Sequence, residues 1–134
     1  MKLLYILACL ILSGTAVAAP VPVDQAIRWG AIQTGQNSYV LRLSVSPGFG
    51  VYRDKVSIAG KGASITTSAL PKGIPHTDIA GTSMLLVGDN DIAIKSGAAE
   101  TPAPLLSISY MGCRIDDYCY PPQRITIPLT QGAQ

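Results

Sequence analysis

Ser38-Tyr39-Val40-Leu41-Arg42-Leu43-Ser44-Val45-Ser46 alternates strictly, with Tyr39, Leu41, Leu43 and Val45 on one side and Val40, Arg42 and Ser44 on the other. An extended chain sends successive side chains to opposite faces, so this stretch reads as a strand with one buried face. Pro47-Gly48 marks a turn, and Val51 to Ile58 continues the same period, with Val51, Arg53, Lys55 and Ser57 opposite Tyr52, Asp54, Val56 and Ile58. Further strands are expected over Ala63–Thr67, Ser83–Val87, Ile92–Lys95, Leu105–Tyr110 and Arg124–Leu129, with one more over Ala26–Ile32. Pro71-Lys72-Gly73, Gly88-Asp89-Asn90 and the stretch from Gly97 to Pro104 supply loop chemistry between them. Pro128 lacks the N–H that a central ladder needs, which places the last run at a sheet edge or strand end. No amphipathic helical period competes, and Trp29 is assigned to the core. About seven or eight short strands at regular spacing imply an all-β, immunoglobulin-like β-sandwich, with a barrel as the alternative.

The N-terminus carries a different signal. Met1-Lys2, an apolar run from Leu3 to Leu12 and the small-residue stretch Ser13-Gly14-Thr15-Ala16-Val17-Ala18-Ala19 have the order of a secretory signal peptide, with cleavage expected after Ala18. The run is shorter than the roughly 20 apolar residues a spanning helix requires, so no stable membrane insertion is expected. Ile6-Leu7-Ala8-Cys9 also loosely resembles a lipobox, the alternative in which Cys9 is acylated. The domain reading is therefore a leader over residues 1–18 and one domain over 19–134, exported to the periplasm, with a frayed end at Gln131-Gly132-Ala133-Gln134.

Export changes what the composition means. Lys2 and Cys9 leave with the leader, so nine Lys and Arg face eight Asp and Glu, and the three cysteines become Cys113 and Cys119. Near-neutral charge argues against a nucleic-acid or other polyanion partner. Two thiols separated by five residues in an oxidising compartment normally pair. Taken alone, a bridge in a small exported domain is more simply a structural staple. His76 is the only histidine. With two cysteines it does not make a persuasive zinc set, so no metal and no cofactor are expected, and His76 reads as a surface-loop residue. Reduced thiols with Met111 could suit Cu(I), but one thioether is thin support. Neither a phosphate loop nor a Ser-His-Asp signature is present.

The segment Tyr110-Met111-Gly112-Cys113-Arg114-Ile115-Asp116-Asp117-Tyr118-Cys119-Tyr120-Pro121-Pro122 leaves a strand, closes a small loop between cysteines, and exits through an aromatic residue and two prolines. It resembles the G-C-x5-C-Y-P-P segment of the N-terminal periplasmic domain of the DsbD thiol–disulfide interchange family. Pro22-Val23-Asp24-Gln25-Ala26, Val51-Tyr52-Arg53, and Leu70-Pro71-Lys72-Gly73 followed by His76 and Asp78 extend the resemblance along the chain. It implies an immunoglobulin-like domain with a redox-active disulfide in an inserted loop. Such a domain takes electrons from a membrane-embedded donor by way of a thioredoxin-like domain and passes them to thioredoxin-like clients. By residue-wise match, Cys119 would form mixed disulfides with partners and Cys113 would resolve them. The chain would be a stand-alone, monomeric form of that domain.

Thiol–disulfide exchange needs a reachable thiolate and a neighbouring thiol. Asp78, Asp116 and Asp117 would oppose a thiolate by like charge or take up its proton, whereas Arg114 would favour it. Tyr52, Tyr118 and Tyr120 are candidates to frame the cysteines. The family's cap loop carries an acidic pair and an aromatic lid. Its counterpart here, His76-Thr77-Asp78-Ile79-Ala80-Gly81, keeps Asp78, looks one residue shorter and offers Ile79 as an apolar lid. Gly50 stands where the family often has a second tyrosine. These departures favour the rival reading, a non-enzymatic binding or adaptor sandwich with a purely structural bridge.

Overall fold

The computed structural model describes Gly14 and residues 19–129. The leader, its cleavage site, the lipobox reading at Cys9 and the expected frayed end all lie outside the described residues. One helical turn, α1 (Val23–Ala26), precedes β1 (Ile27–Gly35), β2 (Ser38–Val45) and β3 (Phe49–Tyr52). A short 3-10 turn at Arg53–Lys55 leads to β4 (Ser57–Lys61), β5 (Ala63–Thr67), β6 (Ile74–Asp78) and β7 (Gly81–Leu86). The long β8 (Asp89–Ala99), β9 (Leu105–Tyr110), β10 (Gly112–Arg114) and β11 (Gln123–Pro128) complete the chain.

One layer is the antiparallel sheet β1-β2-β8-β5. The other is made of two short sheets, β10-β3-β7-β6 and β11-β9-β4. These are continuous through the chain: β3 runs on towards β4 and β9 towards β10, with β4 paired to β9 and β3 to β10. Leu41, Leu43, Ile92 and Ile94 from the first layer meet Val51, Leu86, Leu106 and Ile108 from the second, each at most 1 % exposed. Burying a side chain of this size stabilises by about 1.5–3 kcal/mol, so these residues dominate the cohesion of the two layers. The result is an immunoglobulin-like β-sandwich.

The alternation of β2 holds residue by residue: Tyr39, Leu41, Leu43 and Val45 are buried and Arg42 is exposed. The expected strands at β5 and β9 coincide with the observed ones, and β11, with Pro128 at its end, is an edge strand beside β9. Three expectations need correction. The single strand expected over Val51–Ile58 is broken, because Arg53-Asp54-Lys55 offers no apolar side chain to bury and turns instead. There the Arg53 guanidinium donates to the carbonyls of Pro71 (2.8 Å) and Leu70 (3.3 Å), tying the turn to the loop before β6. The segment expected to be a cap loop from His76 to Gly81 is a tight hairpin between β6 and β7, with Asp78 paired to Gly81. Finally, Gly97 belongs to β8 rather than to a loop, since that strand runs on to Ala99.

Candidate functional site

Cys113 lies on β10, held against Gly50 of β3. The chain then turns back so that Cys119 faces Cys113 across an isolated antiparallel bridge. Arg114 N–H donates to the Tyr118 carbonyl (2.8 Å) and Tyr120 N–H to the Gly112 carbonyl (2.9 Å), one residue to either side of the cysteines. That pattern makes Cys113 and Cys119 a non-hydrogen-bonded pair, the arrangement in which opposed side chains come closest. Their sulfurs are bonded at 2.03 Å. The turn between them closes with Asp117 N–H on the Arg114 carbonyl, and Asp116 takes a positive φ of 61°. Asp tolerates this left-handed conformation better than most residues.

The glycine before Cys113 has a steric reason. A Cβ on Gly112 would stand 2.1 Å from Ile27 Cδ1, and Ile27 is fully buried, so a larger residue would push β10 away from the core. Gly50 is similarly constrained, because a Cβ there would lie 3.0 Å from Leu85 Cδ1.

The two tyrosines flanking Cys119 anchor the far side of the loop. The Val21 N–H donates to the Tyr118 hydroxyl (3.0 Å), and the Tyr120 hydroxyl donates to the Val21 carbonyl. Their rings meet edge to face at 5.6 Å, and Tyr120 stacks on Phe49 at 6.3 Å. Desolvation, reinforced by Tyr118, pushes the Tyr120 phenol up to about 12. It therefore stays protonated and able to donate throughout the physiological range. Ile115 N–H adds a further tie, donating to the Gly48 carbonyl at 2.9 Å.

The disulfide opens into a recess of about 190 Å³ between this loop and the β6–β7 hairpin. Its two cysteines are unlike: residue Cys113 is buried at 6 % exposure, whereas residue Cys119 is exposed. Of the residues singled out from the sequence, Tyr52, Asp78, Arg114, Asp116, Asp117 and Tyr118 all line this recess with the cysteines. Tyr120 is not on its lining and works from behind, through Phe49 and Val21. Ile79 is also off the lining; it stands fully exposed at the hairpin turn and does not cover the disulfide. Asp78 Oδ1 accepts the Ala80 N–H (2.8 Å), a local turn contact that explains a tight hairpin without an Asn-Gly pair. Arg114 is drawn towards Asp117 (3.7 Å) and lies over the Phe49 ring at 5.9 Å.

His76 corrects the sequence reading. It sits within β6, its side chain only 20 % exposed, with Nε2 3.4 Å from Asp116 Oδ1 and its ring on the lining of the recess. The available signal was period two: His76 alternates with the exposed Pro75 and Thr77 and is the one half-buried residue of Ile74–Asp78. Phe49 and Val21 were also missed, because the ring contact of Phe49 with Tyr120 and the backbone contacts of Val21 with Tyr118 and Tyr120 join residues far apart in sequence and leave no mark on local pattern.

A β-sandwich whose loop-borne disulfide joins a buried cysteine to an exposed one at an open recess defines a class of small disulfide-bearing domains suited to thiol exchange. The chain belongs to the family described as "Thiol:disulfide interchange protein DsbD, N-terminal", which matches residues 18–131. Among its relatives are the thiol:disulfide interchange proteins DsbD of Tatumella citrea (39 % identical over 112 residues, 83 % of this chain) and of Vibrio cholerae (30 % over 132 residues, 88 % of this chain). The chain spans about a fifth of the length of these relatives, 19 % and 20 % respectively. The reduced DsbD N-terminal domain of Neisseria meningitidis superposes with a TM-score of 0.67 at 18 % identity, covering 84 % of this chain and 91 % of that one. A complex between the DsbD N-terminal and PilB N-terminal domains of the same organism gives 0.65 at 17 % identity, covering 84 % and 88 %. Among the described residues, no helix is long and apolar enough to cross a membrane.

Proposed function

We propose that this domain is a periplasmic thiol–disulfide relay, taking electrons from a membrane-embedded donor and passing them to thioredoxin-like clients through reversible opening of Cys113–Cys119. The observation that carries this reading is the asymmetry of the bridge: both cysteines line the recess, but Cys119 is an exposed residue and Cys113 a buried one. In the reduced protein the Cys119 thiolate attacks one sulfur of a client disulfide, and the other client sulfur leaves as a thiolate. Cys113 then attacks the Cys119 sulfur, closing the internal bridge and releasing the second client thiolate. Two electrons pass to the client, and the two protons lost by the cysteines balance those gained by the client thiols. Family membership and the related domain solved in complex with a PilB N-terminal domain support docking of another protein on this domain.

The test is a trap. Cys113→Ala leaves Cys119 without its resolving partner, so mixed disulfides with a thioredoxin-like protein are expected to accumulate on non-reducing gels and to disappear with reductant. Cys119→Ala is expected to trap far less, since the remaining Cys113 is a buried residue. Equal trapping by the two variants would remove the assigned roles, and none by either would remove the relay.

A further inference from the structure

Three carboxylates, Asp78, Asp116 and Asp117, line the recess that a thiolate must occupy. Like charge disfavours ionisation of a thiol there. The cation in the same recess, Arg114, is turned towards Asp117 and Phe49. Asp78 has one oxygen committed to the Ala80 N–H at 2.8 Å. Tyr52 and Tyr118 are the other titratable groups on the lining, and a phenol does not accept a proton near neutral pH. Packed beside His76 on β7 is its register partner Ser83, which brings no charge, and Leu85 of the same strand completes that side. His76 is therefore the group on this lining that brings a ring nitrogen able to accept a proton.

We propose that His76 accepts the Cys119 proton and that Asp116 positions the imidazole and stabilises the imidazolium formed. The inference rests on the relay reading above. The balance is simple: the Cys119 thiol and neutral imidazole become a thiolate and an imidazolium, the thiolate attacks a disulfide sulfur, and the imidazolium returns its proton to the departing thiolate. His76 and Asp116 stand on opposite walls of the recess, one on the hairpin and one on the cysteine turn. Their contact at 3.4 Å thus links the two walls of the recess.

The test uses the reduced full chain and a small aromatic disulfide, so no protein partner is required. Rate is measured against pH, alongside the ultraviolet absorbance of the thiolate, for wild type and His76→Gln. Loss of the basic group is expected to raise the apparent midpoint of Cys119 by about one pH unit and to slow the reaction at pH 7 by about tenfold. The thermal unfolding midpoint of the oxidised form should not move, since β6 is an exposed edge. Superimposable profiles would overturn the proposal. Asp116→Asn supplies a test by sign: acting through His76 its loss raises the midpoint, whereas a fall would show direct repulsion of the thiolate and overturn the positioning role. A wild-type bridge that dithiothreitol cannot open would remove the relay and this proposal together; one that opens while its profile ignores residue 76 would overturn the histidine alone.

Discussion

The recess has two walls built on opposite plans. The cysteine loop is held from every side: Gly112 pressed against Ile27, Ile115 bonded to Gly48, and Tyr118 and Tyr120 both engaged by the Val21 backbone. The β6–β7 hairpin is almost all surface from Ile74 to Thr82; its tip carries the local bonds Asp78 to Ala80 and Thr77 to Thr82, and His76 ties it to Asp116 of the cysteine turn. The proposed relay accounts for the contrast. In that relay the internal sulfurs return to bonding geometry in every cycle, which favours a rigid loop, whereas a partner displaces whatever stands beside Cys119. Few buried contacts make the hairpin the cheaper wall to move.

The contrast can be broken most severely at its base. Gly112→Ala forces a methyl group into Ile27 and is expected to cost about 1–3 kcal/mol, read as a lower denaturation midpoint of the oxidised protein. Tyr118→Phe and Tyr120→Phe each remove one hydroxyl from the Val21 clamp and should cost about 1 kcal/mol, with faster amide exchange confined to the loop and the N-terminal segment.

The clamp also has a pH signature. The Tyr120 phenol is raised in the folded state to about 12, so its contribution is complete below its unfolded value near 10 and is lost as pH climbs through 12. Alkaline unfolding curves should accordingly steepen between about pH 10 and 12, and Tyr120→Phe should flatten them. Flattening is incomplete because burial raises Tyr110 as well. The smallest effect belongs to the other wall: Ile79→Ala should change stability by no more than about 0.5 kcal/mol, since Ile79 touches solvent alone. A larger loss would mean that the hairpin is as firmly held as the loop.

Much of the sandwich could be read from alternation, because β2, β5 and β9 bury one face and the period survives in Tyr39, Leu41, Leu43 and Val45. Alternation failed where it crossed Arg53-Asp54-Lys55, whose apparent period had no apolar residue behind it. It also failed at β6, an edge strand with Pro75 at its second position and little to bury. The cysteines, their three aspartates, Arg114, Tyr52 and Tyr118 were legible as one cluster. Ile79 was not legible as exposed, because the direction of a hairpin tip depends on which strand pairs with β7. His76 left only the faint period-two signal of a residue between Pro75 and Thr77, and the role of Tyr120 depended on Val21, 99 residues away.

On the proposed relay Cys113–Cys119 is a working bridge and not a staple. As a staple it would still stabilise by roughly 2 kcal/mol through loop closure, so loss of stability on reduction cannot decide the matter. Equilibration of the purified domain against thiol–disulfide buffers of known potential can. A midpoint above about −300 mV, in the range of thioredoxin-type relays, is the expected result; a bridge that remains oxidised below about −300 mV would contradict it.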